Sequence, residues 1–133
     1  MIEWKPALEL GVPEVDSDHR TLVELLNRIT TATEREEALE VLDQLERYTG
    51  YHFAREEALM AEYGYEFAGE HVREHQDLFF EVKNQIEDLL TNERGVREVG
   101  QFMQRWLLRH IAGADRLLCE AIVRHRRAGH STV

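Results

Sequence analysis

Cysteine occurs once in this chain of 133 residues, proline twice, and an uncharged apolar run of membrane-spanning length not at all. The single Cys119 excludes an internal disulfide framework and suits a reducing compartment, so a cytoplasmic setting is expected. It falls on an apolar helical stripe and reads as a small buried hydrophobe. A membrane span needs roughly 18 consecutive apolar residues, so no membrane insertion is expected. The opening Met-Ile-Glu-Trp-Lys-Pro has neither a basic nor an apolar leader region, so no signal peptide is expected. Positive charge is also scarce: 16 Lys/Arg stand against 26 Asp/Glu, a net charge of −10. That balance argues against nucleic acid and anionic lipid surfaces as partners. The deficit is uneven, with 8 basic against 23 acidic residues over 1–93 and 8 against 3 over 94–133. A basic last helix between acidic neighbours explains this better than a docking face around Arg105, Arg109 and Arg116, because charge stripes at helical spacing are usually solvated.

Both prolines, Pro6 and Pro13, precede the periodic part of the chain. Residues 1–15 read as an extended arm with Trp4 as its anchor. Asp16 or Ser17 suits the N-cap of a first helix, whose stripe is His19, Leu22, Val23, Leu26 and Ile29. Thr33-Glu-Arg-Glu36 reads as a capping box opening a second helix, and Gly64 as its C-terminal stop. A third helix carries His71, His75, Leu78, Phe79, Val82, Ile86 and Leu89 on one face. After Asn92 to Gly95, a fourth runs from Val99 to a basic end at Arg124-His-Arg-Arg127. Connections of a few residues force antiparallel neighbours. The fold class is therefore all-α: an up-down-up-down four-helix bundle with an extended N-terminal arm, one domain with a bundle at about 16–127 and a tail at 128–133. A monomer is expected.

The apolar stripes are interrupted in register by His19, His52, Glu56, His71, His75, His110 and Asp115. Positions four apart on a helix lie one turn apart on the same face, so His52 with Glu56 and His71 with His75 read as chelating pairs. His110 and Asp115 are five apart, about 140° around an ideal helix. Either Asp115 approaches from the side or the helix is locally irregular, and Gly113 would tolerate both. Alone, any of these histidines would more often be a satisfied core residue than a ligand. Together, seven buried polar groups without a metal would cost several kcal/mol, on the order of a domain's whole stability. A tetrahedral zinc needs four ligands. Seven, two of them able to bridge, suggest a pair of metal ions with one coordination position open. Manganese or zinc suits these donor types as well as iron does. His125 and His130 fall outside the set, in a basic tail, and read as exposed and unligated.

The motifs that carry this set are Trp4, Gly11-Val-x-x-Val-Asp-x-Asp-His19, His52-Phe-x-x-Glu-Glu57-x-x-Met60, Gly64-Tyr65, His71-x-x-x-His75 and Trp106-Leu-x-x-His-Ile-x-x-x-Asp115. Over nearly the whole chain they resemble the single-domain bacterial members of the hemerythrin family, with Asp18 standing where many relatives have glutamine. The resemblance implies two non-haem iron ions, one on His71, His75 and His110 and the other on His19 and His52. Glu56, Asp115 and a solvent-derived oxo or hydroxo group would bridge them. Dioxygen would bind reversibly at the ion with fewer ligands, for storage, delivery or sensing. Leu22, Trp106 and Ile111, each near a ligand, would wall that position. A protein partner receiving oxygen or a signal is compatible with this role. The alternative is a di-iron enzyme or sensor module handling peroxide, nitric oxide or iron. Ferritin-like oxidase sites use Glu-x-x-His on two helices, and no candidate ligand here lies in that motif. The reading is a carrier, not an enzyme.

Overall fold

The computed structural model describes residues 2–131, with side chains through residue 128. His130, expected in an exposed tail, lies outside the described side chains. Helix α1 spans Pro13–Thr31, α2 Arg35–Tyr63, α3 Ala68–Leu90 and α4 Val96–His110. A π-helical turn at Ile111–Asp115 leads without a break into α5, Arg116–Ser131, so α4 and α5 form one rod. Helix α1 packs on α2 and α4, and α3 on α2 and α4, which closes the expected bundle.

Two helix starts differ from expectation. Helix α1 begins at Pro13, with Val12 as its N-cap and no side-chain cap. Proline at the first helical position is pre-set in φ and lacks only an N–H that would have no helical partner. Asp16, freed from capping, accepts the backbone N–H groups of Leu10 at 2.8 Å and Gly11 at 3.1 Å, and so pins the arm. Helix α2 has Glu34 as its N-cap, again with no side-chain cap, so the Thr33–Glu36 capping box does not form. Thr33 lies one residue outside the position from which a cap can reach. The C-terminal stop is as expected: Gly64 adopts φ 59°, and Tyr65 N–H donates to Met60 O at 2.9 Å. Those are the left-handed glycine and the six-to-one bond of a Schellman ending.

The arm is less extended than its two prolines suggest, because Pro6–Leu8 forms a 3-10 turn. Trp4 packs at the edge of the core, donates to Glu9 at 3.1 Å and carries Arg20 over its ring. A second anchor joins both backbone groups of Ile2 to the Asn27 amide, each at 2.8 Å.

The apolar interior falls into two clusters. The larger includes Leu22, Leu26, Ile29, Leu42, Leu45, Val82, Met103 and Leu107, and the smaller Val12, Val15, Leu59, Met60, Leu118, Cys119 and Ile122. Along α1, α2 and the last rod, the polar residues fall where the positions of one cluster give way to those of the other. The bundle is thus two apolar plugs separated by a polar layer. Cys119 is fully buried, and burial pushes its thiol pKa up, as suits an inert core residue.

Candidate metal centre

Each rod delivers its share of the polar layer by helical geometry. On α2 and α3, the four-residue spacing turns His52 and Glu56, and His71 and His75, to one face. The five-residue spacing on the last rod works because the intervening turn is π-helical. A π turn takes up an extra residue per turn, which brings His110 Nε2 within 2.9 Å of Asp115 Oδ1. The helix is locally irregular, then, and Asp115 does not approach from the side. A Cβ on Gly113 would meet nothing within 4 Å, so the turn does not depend on that glycine for space.

All seven groups converge, none more than 4% exposed. Two overlapping sets can be drawn among them, Glu56, His71, His75, His110 and Asp115, and His19, His52, Glu56 and Asp115. Within each set, one donor atom per residue lies within 4.8 Å of all the others. Glu56 and Asp115 belong to both, and they divide their oxygens between them. Glu56 Oε1 faces His75 at 2.8 Å and His71 at 3.4 Å, while Oε2 faces His52 at 3.6 Å. Asp115 Oδ1 faces His110 at 2.9 Å and His71 at 3.2 Å, while Oδ2 faces His19 at 2.7 Å and His52 at 3.7 Å. In every one of these contacts the imidazole presents Nε2.

The residues fit a metal pair on chemical grounds. His52 Nε2, His71 Nε2, His110 Nε2, Glu56 Oε2 and Asp115 Oδ1 are buried without a well-formed hydrogen bond. Each such atom ordinarily costs about 1–3 kcal/mol, and five in one layer would be hard to sustain without cations to ligate. Without metal, protons must balance the carboxylates. Burial alone would lower the pKa of His52, but the Glu56 charge, the nearby Asp115 carboxylate and the hydrogen bond to Asp18 outweigh it and hold it up at about 9. His71 is held at about 9 in the same way, against burial, by the close carboxylates of Asp115 and Glu56. His110 is raised well above its ordinary value against burial, chiefly by the Asp115 charge. Burial and the nearby Asp115 charge oppose ionisation of Glu56, yet His52, His110 and His71 bring its pKa down to about 2.

An outer layer of carboxylates orients three imidazoles; Glu57 and Glu74 were not singled out from the sequence as partners, and Asp18, expected to bear on its neighbour His19, serves His52 instead. His52 Nδ1–H donates to Asp18 at 3.0 Å, His75 Nδ1–H to Glu57 at 3.1 Å and His110 Nδ1–H to Glu74 at 3.3 Å. Such partners fix the tautomer that leaves Nε2 free for a metal. Each outer carboxylate is the chain neighbour of one inner ligand and serves a histidine on the next helix: Asp18 adjoins His19, Glu57 adjoins Glu56 and Glu74 adjoins His75. That recurring adjacency is the signal by which sequence could have found them. Phe53 was also missed. It is 5% exposed, stacks on His75 at 3.9 Å and meets His110 edge-on at 5.5 Å. Leu22, Trp106 and Ile111 all lie buried in the larger apolar cluster, and Trp106 Nε1–H donates to Leu78 O at 3.3 Å. His125 is exposed beside Tyr63, apart from the polar layer.

Comparison with known proteins gives a consistent picture. Residues 10–122 match the family model described as the hemerythrin HHE cation binding domain. The chain is 32% identical over 128 residues to a bacteriohemerythrin of Stenotrophomonas maltophilia, covering 94% of this chain and 84% of that protein. It is 27% identical to a bacteriohemerythrin of Clostridium acetobutylicum, covering 87% of this chain and 97% of the other. Among solved structures, a wild-type hemerythrin crystal structure superposes with a TM-score of 0.81 at 26% identity, covering 91% of this chain and 97% of that one.

Proposed function

This chain belongs to the hemerythrin family, and on that premise we propose that it binds dioxygen reversibly at a pair of non-haem iron ions. One observation carries the reading: Glu56 and Asp115 each turn one oxygen toward His71, His75 or His110 and the other toward His19 or His52. His71, His75 and His110 would then hold one ion and His19 and His52 the other, with Glu56 and Asp115 common to both sets. Bound iron would supply the electrons for dioxygen. The chain's own residues supply the rest. Glu56 and Asp115 spread negative charge over both ions, and Asp18, Glu57 and Glu74 hold the imidazole rings in place. Leu22, Trp106 and Ile111, buried near the ligands, would keep water from the site.

The proposed role is storage, delivery or sensing of oxygen by a cytoplasmic monomer, not catalysis. No described helix is long and apolar enough to cross a membrane. The anaerobic, iron-loaded protein should develop a visible absorption band in air and lose it when oxygen is withdrawn. A band that never appears, or oxidation that does not reverse, would sink the carrier reading and favour a di-iron enzyme or sensor.

The apolar wall makes a further prediction. Leu22→Ser or Trp106→Ala should leave iron content near that of the wild type while the oxygenated band decays at least several-fold faster, because water reaches the site. Decay timed with iron assayed in parallel checks this. Unchanged decay, or decay only in step with lost iron, would make these residues core packing alone.

A further inference from the structure

Asp18 lies outside the inner seven, yet it is only 2% exposed. Its Oδ2 accepts from His52 Nδ1 at 3.0 Å and from Arg55 Nε at 2.8 Å, and its Oδ1 accepts from the Tyr48 hydroxyl at 3.1 Å. A carboxylate this deep needs a compensating charge. Arg55 supplies it from a side chain 33% exposed, whose guanidinium also bonds the Tyr51 hydroxyl and lies 5.0 Å over the Tyr51 ring. A continuous chain therefore runs from the surface through Tyr51, Arg55 and Asp18 to His52.

The two histidines of the less-ligated set are unequal in this respect. His19 Nδ1 is buried with no protein hydrogen-bond partner, so only His52 leans on a carboxylate through its Nδ1. The three outer carboxylates are unequal as well. The Glu57 and Glu74 side chains are 42% and 43% exposed and are screened by water, whereas Asp18 is enclosed and acts in a medium of lower dielectric. An imidazole whose N–H points at a carboxylate is a more basic ligand, and a more basic ligand favours the higher oxidation state of the metal it holds.

We propose that Asp18 is a positioning residue for the metal centre. By accepting the His52 Nδ1 hydrogen bond it fixes the tautomer that presents Nε2 to the metal, and it lowers the reduction potential of the ion that His52 holds. Arg55 and Tyr48 draw electron density from Asp18 and set how strongly it acts.

The inference rests on the proposed iron site, and the wild-type protein separates the two. A wild type that takes up no iron fails the functional reading, whereas iron-loaded protein indifferent to residue 18 fails only this one. The experiment is an anaerobic redox titration of the iron-loaded protein, with NMR of its exchangeable imidazole protons. Asp18→Asn and Asp18→Gln should shift the reduced-to-oxidised ratio at fixed poise about tenfold toward reduced, about 59 mV upward for a one-electron step, and move one exchangeable resonance. Arg55→Gln and Tyr48→Phe should lower the potential. Packing damage gives no reason for opposite signs. An unchanged or lowered potential in the Asp18 variants, or the same direction in both sets, overturns the proposal. If the Asp18 variants do not fold, Arg55→Gln decides on its partly exposed side chain, and an unchanged or raised potential there overturns it.

Discussion

Glu56→Ala and Asp115→Ala should each leave the purified chain with less than about half the iron of the wild type, a larger loss than any single histidine variant shows. Removing a histidine takes one neutral donor from one ion. Removing either carboxylate takes a negative charge from both ions at once and leaves two cations facing each other at short range, where the interior dielectric screens them poorly. The contacts set the comparison: Glu56 lies within 3.7 Å of Nε2 on His52, His71, His75 and His110, and Asp115 within 3.7 Å of His19, His52, His71 and His110. The helices should survive, because the two apolar clusters do not depend on these side chains. Iron per chain, measured beside the far-ultraviolet circular dichroism, is the test. A helical variant that keeps wild-type iron would remove the bridging role of that carboxylate.

Stripping the iron should lower the melting temperature by at least about 10 °C, since a ligand present at a thousand times its Kd contributes about 4 kcal/mol and each kcal/mol is worth several degrees in a domain this size. The pH dependence should also change sign. In the metal-free chain, His52 and His71 hold their protons up to about 9, above the ordinary 6.5. The stability they contribute is complete below about 6.5 and is lost as pH rises through 9. Glu56, brought down to about 2 from 4.5, contributes fully above about 4.5 and loses its share as pH falls toward 2. Metal-free protein should therefore be most stable between about pH 4.5 and 6.5 and weaken toward 9. Iron-loaded protein should gain stability from pH 5 to 7, because its ligands must shed protons to bind. Melting curves of both forms across that range provide the check. Coincident curves would mean that the polar layer holds no metal.

The sequence by itself determined the four rods, the inward faces and the seven polar groups on them. These are local properties: a 3.6-residue repeat, a four-residue pair spacing and a glycine stop are written in neighbouring residues. The helix starts were less legible. Val12 and Glu34 stand in place of the expected caps, because several nearby residues could begin each helix; at α1 Asp16 bonds the arm instead of capping. The His110 to Asp115 gap left two local geometries open, and only the packed rod selected the π turn. Tertiary structure alone decided which oxygen of Glu56 and Asp115 faces which histidines, and that Asp18, adjacent to His19, serves His52 on another helix. Most of these contacts cross from one helix to another, and the pairs His52–Asp18 and His19–Asp115 lie 34 and 96 positions apart. Their geometry depends on how four helices rotate against one another, a quantity no single stretch of chain encodes.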